Sequence, residues 1–245
     1  MAKQSKSAII YQGPSLIDGA PIVAIAVESN RNKKTGKMLQ TYILRSDTDP
    51  RLASKLGLDK SICGTCPMRG QATDDPKAKQ AKDRACYVLL GQGPLIVWQA
   101  YQKGLYPMAQ DIAGIGESAL VRIGTYGDGA AVPAYVWLAL LSKAKAHTGY
   151  SHQSRNKSSA FDPALYMVSV ETIQQAAQAW KKAFRTFRVV KSLSEIDKTK
   201  ETLCPASKEA GKRTTCADCK LCGGNTVKAK SIAIVAHGAG ASHFN

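Results

Sequence analysis

From Ala119 onward the chain alternates apolar β-forming runs with amphipathic segments, and this alternation restricts the fold more than any other feature. "ALVRIGTYGD" reads as a strand, "VPAYVWLALLSKAKA" as a helix, and "HTGYSHQ" and "ALYMVSV" as two more strands. "ETIQQAAQAWKKAF" follows as a helix with Ile173, Ala176, Ala177, Trp180 and Phe184 on one face, before strands "RTFRVVKS" and "SIAIVAHG". A strand reaching a parallel neighbour needs a crossover, usually a helix. Strands joined in this way are covered on both faces and so read as apolar runs. The expected class is α/β, with a parallel sheet that is open or partly closed into an incomplete barrel. In such sheets the chemistry gathers at the carboxyl ends of the strands. Those ends would carry Asp128, His152, Glu171 and a cysteine segment.

Ahead of this core, "SAIIYQGPSLIDGAPIVAIAVES" has two apolar runs around a Gly/Pro/Asp turn, an N-terminal β-hairpin. "RNKKTGKM" is a basic turn and "LQTYILRS" another strand. "GPLIVWQAYQKGL" reads as a helix, with Pro94 in its first turn and Leu95, Trp98, Tyr101 and Leu105 on one face. No long or low-complexity linker interrupts the chain, so one domain is expected over residues 1–245. Its regions are a β-hairpin and strand (1–46), a cysteine loop and helix (47–118), a βα core (119–200), and a four-cysteine loop with a final strand (201–245). No run approaches the roughly 20 apolar residues of a membrane span. The start is too polar for a secretory signal, which implies a cytoplasmic location. Thiols stay reduced there, so the seven cysteines read as metal ligands before disulfides.

Four of them, Cys204, Cys216, Cys219 and Cys222, form C-x11-C-x2-C-x2-C. Four thiolates suit tetrahedral zinc or an iron–sulfur cluster. Consecutive x2 spacings are the ferredoxin habit, whereas structural zinc usually pairs two knuckles. Cys63, Cys66 and Cys86 form C-x2-C-x19-C, one ligand short. The fourth position is open at an iron, taken by a histidine such as His152 in a zinc site, or filled by nothing, beside the plainer reading of a C-x2-C with an unrelated core cysteine at Cys86.

The formal net charge is +16, a field that attracts phosphate polymers. No acidic residue lies between Gly129 and Phe161, while Lys143, Lys145, Arg155 and Lys157 do. That segment is a candidate nucleic-acid surface, beside the plainer reading of a solvated lysine-rich face. Arg122 and Arg188 sit inside apolar strands, where a cation is costly unless paired or lining a polar lumen. Asp128, His152 and Arg122 are the candidate catalytic residues.

Taken with "VWQAYQKGLYP", "VRIGTYGDGAAVP", "TGYSHQ" and "RTFRV", the motifs "ICGTC", "RACYV" and "CPASKEAGKRTTCADCKLC" resemble a family of cysteine-rich bacteriophage proteins over nearly the whole chain. An early three-cysteine loop, βα units and a late four-cysteine loop are also similar, more distantly, to radical S-adenosylmethionine barrels. The C-x3-C-x2-C loop usual there is absent. The resemblance implies a phage setting, a host-cytoplasmic location and a metal-bearing α/β core, with S-adenosylmethionine as a candidate cofactor. Two functions follow as expectations: a metalloprotein acting on or near nucleic acid or nucleotides, or a non-catalytic zinc-stabilised nucleic-acid-binding protein serving phage replication or host takeover.

Overall fold

The computed structural model describes residues 6–29 and 33–244. Its strands are β1 Ala8–Pro14, β2 Pro21–Ser29, β3 Met38–Arg45, β4 Leu120–Tyr126, β5 Ala146–Thr148, β6 Tyr150–Ser151, β7 Met167–Val170, β8 Thr186–Val190, β9 Glu201–Leu203 and β10 Ser231–Val235. The α-helices are α1 Pro50–Lys55, α2 Lys60–Cys63, α3 Gly93–Gln102, α4 Ile112–Gly116, α5 Ala134–Leu141, α6 Ile173–Lys181 and α7 Cys216–Cys219.

These strands form two five-stranded sheets, ordered β1-β2-β3-β4-β5 and β6-β7-β8-β10-β9. The N-terminal hairpin is present, since β1 and β2 pair antiparallel. β3 then continues antiparallel to β2 but parallel to β4, and β4 is parallel to β5. Every pairing in the second sheet is parallel. The fold is thus α/β and its sheet is open, but it is divided in two rather than continuous. Gly149 is the divide, lying between the edge strand of one sheet and that of the other. Its amide donates to Cys222 O at 3.0 Å and its carbonyl accepts from Met167 N at 3.0 Å. A Cβ there would stand 2.5 Å from Leu165 O, so only glycine lets the backbone turn so close to its neighbour.

Local chemistry sets the helix starts. Asp49 caps α1, with proline in the first turn, and Thr172 with Gln175 forms a capping box on α6. α3 buries Pro94 and Val97, with Trp98 and Tyr101 packed against the core. Leu105, expected on its buried face, lies past the helix end and is 66% exposed. On α6 the buried residues are Ala176 and Ala179, while Ile173 reaches solvent at the first turn. The sequence reading missed β9, because three residues carry no periodicity. Its Glu201 pairs with Arg188 at 2.6 Å, and both side chains are buried. Arg188 is therefore a structural ion pair, not a free site residue. No helix among the described residues is long and apolar enough to cross a membrane.

Candidate functional site

A cavity of about 400 Å³ opens inside the curve of the two sheets. Gly127 and Asp128 after β4, His152 after β6, Glu171 after β7 and His237 after β10 line it, all at carboxyl ends of parallel strands. Arg122, Tyr150, Phe187, Val189 and Ile234 reach it from within strands. Cys63, Cys66 and Cys86 line the same space as Cys204 and Cys216.

The early cysteines belong to the segment that follows β3. Cys63 ends α2, Gly64 turns the chain with positive φ, and the Cys66 amide donates to Cys63 O at 3.1 Å. The long spacer to Cys86 folds back on itself through a bridge between Gln71 and Lys82. The Cys86 amide then donates to Met68 O at 2.9 Å, returning the third thiol to the first two. Buried Arg84 holds this return by donating to the carbonyls of Cys86 and Val88. Arg69 pairs with buried Asp59 below the loop.

Asp128 joins this loop to the strand ends. Its carboxylate accepts from Ala130 N (3.0 Å), Ser151 Oγ (3.1 Å), His152 N (2.9 Å) and Gln153 Nε2 (3.2 Å). The fully buried Gln153 also donates to Cys63 O at 3.2 Å. Burial raises the Asp128 pKa, against the hydrogen bonds that lower it. The bonds from Ser151, His152 and Gln153 tie the end of β6 to the end of β4. The His152 Nε2 is 2.6 Å from Glu171 Oε1, and the Cys66 thiol lies near its ring. Burial alone would lower the His152 pKa, but Cys66 and Glu171 outweigh it and hold it well above the ordinary value.

The late cysteines hang on a loop from β9 to β10. Cys216 and Cys219 share one turn, α7, whose start carries a Thr215–Asp218 capping box. The amides of Cys216 and Ala217 donate to Lys34 O and Thr35 O in the basic turn before β3. Further on, Asn225 N donates to Pro163 O ahead of β7, and the Asn225 side chain accepts from Arg185 N at the foot of β8. The loop thus runs to the amino ends of the second sheet, while the early loop covers carboxyl ends. Cys204 and Cys222 are buried among Met167, Ile232 and Ile234. Burial pushes the Cys222 thiol up to about 12.

Arg122 stands between the two sets, 8% exposed. It donates to Tyr87 Oη at 2.8 Å and lies 5.6 Å from the Tyr150 ring centre. It forms no ion pair with a carboxylate among the described residues.

Among the described residues, no three His, Cys, Asp or Glu side chains form an arrangement that holds a metal ion. The donor chemistry nevertheless fits a thiophilic metal, since each loop presents sulfurs from a turn with anchored backbone. Tyr126 lines this cavity, and its hydroxyl is buried without a hydrogen-bond partner.

The four cations expected to form one nucleic-acid surface are separated. Lys143 and Lys145 precede β5, whereas Arg155 and Lys157 follow β6, so they leave opposite ends of one strand path. An acid-free stretch in sequence is not a face when a strand runs through its middle. Three cavity residues escaped the sequence reading: Lys34, Tyr87 and His237. Lys34 Nζ is 2.9 Å from His237 Nε2, and the Tyr87 and His237 rings stack at 5.4 Å. Lys34 read as a plain basic turn, and nothing local marks the other two. No protein-family model matches the chain, and no match was found among curated proteins or solved structures.

Proposed function

We propose that this protein is a metalloenzyme with two cysteine-held iron–sulfur centres facing one reaction cavity. The observation that carries this reading is that all three early cysteines and two of the late ones, Cys204 and Cys216, line the same cavity. A metal serving only to staple a loop needs no shared lumen. In this reading Cys63, Cys66 and Cys86 hold the centre with an open position, and Cys204, Cys216, Cys219 and Cys222 hold the closed one. His152, oriented by Glu171, borders the open position, and Arg122 offsets negative charge accumulated on the thiolates. The cavity has the size that takes a small-molecule ligand, and S-adenosylmethionine is the cofactor implied by the barrel resemblance.

One contact favours a second reading at the early set. A metal-bound histidine commonly gives its other ring nitrogen to a carboxylate, and His152 meets both Cys66 and Glu171. Cys63, Cys66, Cys86 and His152 would then hold structural zinc. Anaerobic isolation separates the two. Iron, acid-labile sulfide and broad visible absorption, with early-site iron kept in His152→Ala and lost in Cys63→Ala, support the enzyme reading. A colourless zinc protein equally weakened by both substitutions overturns it.

A further inference from the structure

The face opposite the cavity carries a second feature. In a parallel sheet, residues just ahead of each strand emerge together at the amino ends. Lys143 and Lys145 precede β5, Lys181 and Lys182 precede β8, Lys198 and Lys200 precede β9, and Lys228 and Lys230 precede β10. All eight side chains are exposed. Within the second sheet, strand order places the pairs ahead of β8, β10 and β9 side by side along one edge, while Lys143 and Lys145 belong to the edge strand of the first sheet. At about 4.8 Å between strands, this row of three pairs extends about 10 Å.

Backbone contacts hold the row together. Arg185 uses its guanidinium on the carbonyls of Gly224, Ala229 and Lys230, clamping the β10 approach to the foot of β8. Lys230 Nζ donates to Lys198 O at 2.8 Å, joining the β9 and β10 approaches. Of the nearby acids, Glu201 is sealed against Arg188, while Asp162 and Asp197 accept from Ala164 N and Thr199 and stay charged. The lysines outnumber these two carboxylates, so the row keeps a net positive charge.

We infer that this amino-end face docks the phosphate backbone of duplex DNA. A duplex presents about one charge per 1.7 Å of axis, so a row of cations about 10 Å long meets several phosphates at once. Single strands need aromatic stacking platforms. The strongly exposed aromatics among the described residues, Tyr87 and Tyr135, belong to neither the three lysine pairs nor the segments that carry them. Lysines without base-reading partners give affinity without sequence preference. Because the cavity opens at the other end, the duplex is a docking partner and not the molecule inside the reaction site. This inference does not depend on metal in either cysteine set.

The test measures binding of the full-length protein to a random-sequence DNA duplex of about 20 base pairs across a salt series. The variant carries Gln at Lys182, Lys198, Lys200 and Lys230, and the control carries Gln at Arg155 and Lys157. The expected result is at least about tenfold weaker binding by the first variant, with its salt slope reduced by about 0.9 for each phosphate no longer neutralised. The control should bind like the parent, and both variants should keep the parent's melting temperature and metal content. Parent-like affinity and slope in the first variant would overturn the inference. So would a roughly tenfold preference of the parent for single-stranded DNA or duplex RNA.

Discussion

The two sheets are held by different means. The first rests on one continuous cluster running from Ala8 to Tyr166, with Trp137 and Leu140 of α5 fully buried in it. Behind the second lie two small clusters, one built on Val168, Val170, Ala176 and Ala179. The other includes Cys204 and Cys222 as buried members beside Met167, Ile232 and Ile234. Burial of apolar area contributes about 25 cal/mol per Å², so a few side chains contribute little against chain entropy. The second sheet therefore leans on a buried ion pair and on the small cluster to which Cys204 and Cys222 belong. In the proposed reading, metal at the late cysteines would add a folding role to its chemical one.

This asymmetry breaks most visibly if the late metal is lost. A structural metal site can contribute on the order of 10 kcal/mol of folding free energy. Cys219→Ser should empty the late set and expose the amides of β7, β8 and β10 to rapid hydrogen exchange. The amides of β2, β3 and β4 should stay protected. Equal loss of protection in both sheets would show one cooperative unit and remove the contrast.

The next effect concerns Arg188 and Glu201. Removing one partner of a buried pair leaves an uncompensated charge, at a cost of about 3–5 kcal/mol. Glu201→Gln should lower the unfolding free energy by that much, with the loss mapped to the second sheet by exchange. A change under about 1 kcal/mol, the range of exposed pairs, would mean the site is solvated.

A smaller loss is expected at the junction. Asp128→Ala leaves the donors on Ala130, Ser151, His152 and Gln153 without their acceptor, at roughly 1–3 kcal/mol once water has reached all but one of them. Metal should be lost from the early set and kept at the late one, measured as metal per chain. Full early-set occupancy in this variant would show that Asp128 does not position that loop.

The smallest effect is a pH dependence. Burial lowers the His147 pKa below 6.5, so the folded protein binds this proton less readily than the unfolded chain. Stability from the neutral imidazole is complete above about pH 6.5 and falls as pH drops through that value toward the folded pKa. His147→Gln should flatten the stability-versus-pH curve below about pH 6.5. An unchanged curve would place the acid sensitivity elsewhere.

Long elements were legible in the sequence because periodicity and caps agree there. The N-terminal hairpin, β4, α5, α6 and β8 all follow their apolar patterns. The Gly149 break was not, since a glycine in a short strand looks the same whether or not the sheet divides. The strand-end rule correctly brought Asp128, His152 and Glu171 to one cavity. It did not reveal how Asp128 joins the strand ends, because its hydrogen bonds from Ser151, His152 and Gln153 come from residues brought to it only by folding. Nor could spacing reveal that the late loop runs toward the amino ends while the early loop sits above the carboxyl ends.

The most direct test of the shared-cavity reading is iron per chain in anaerobically isolated Cys63→Ala beside the parent. The expected parent value corresponds to two clusters, and Cys63→Ala should retain the late cluster while losing the early one. A parent without iron, or a Cys63→Ala variant with the parent's full iron content, would contradict two cysteine-held iron–sulfur centres facing one cavity.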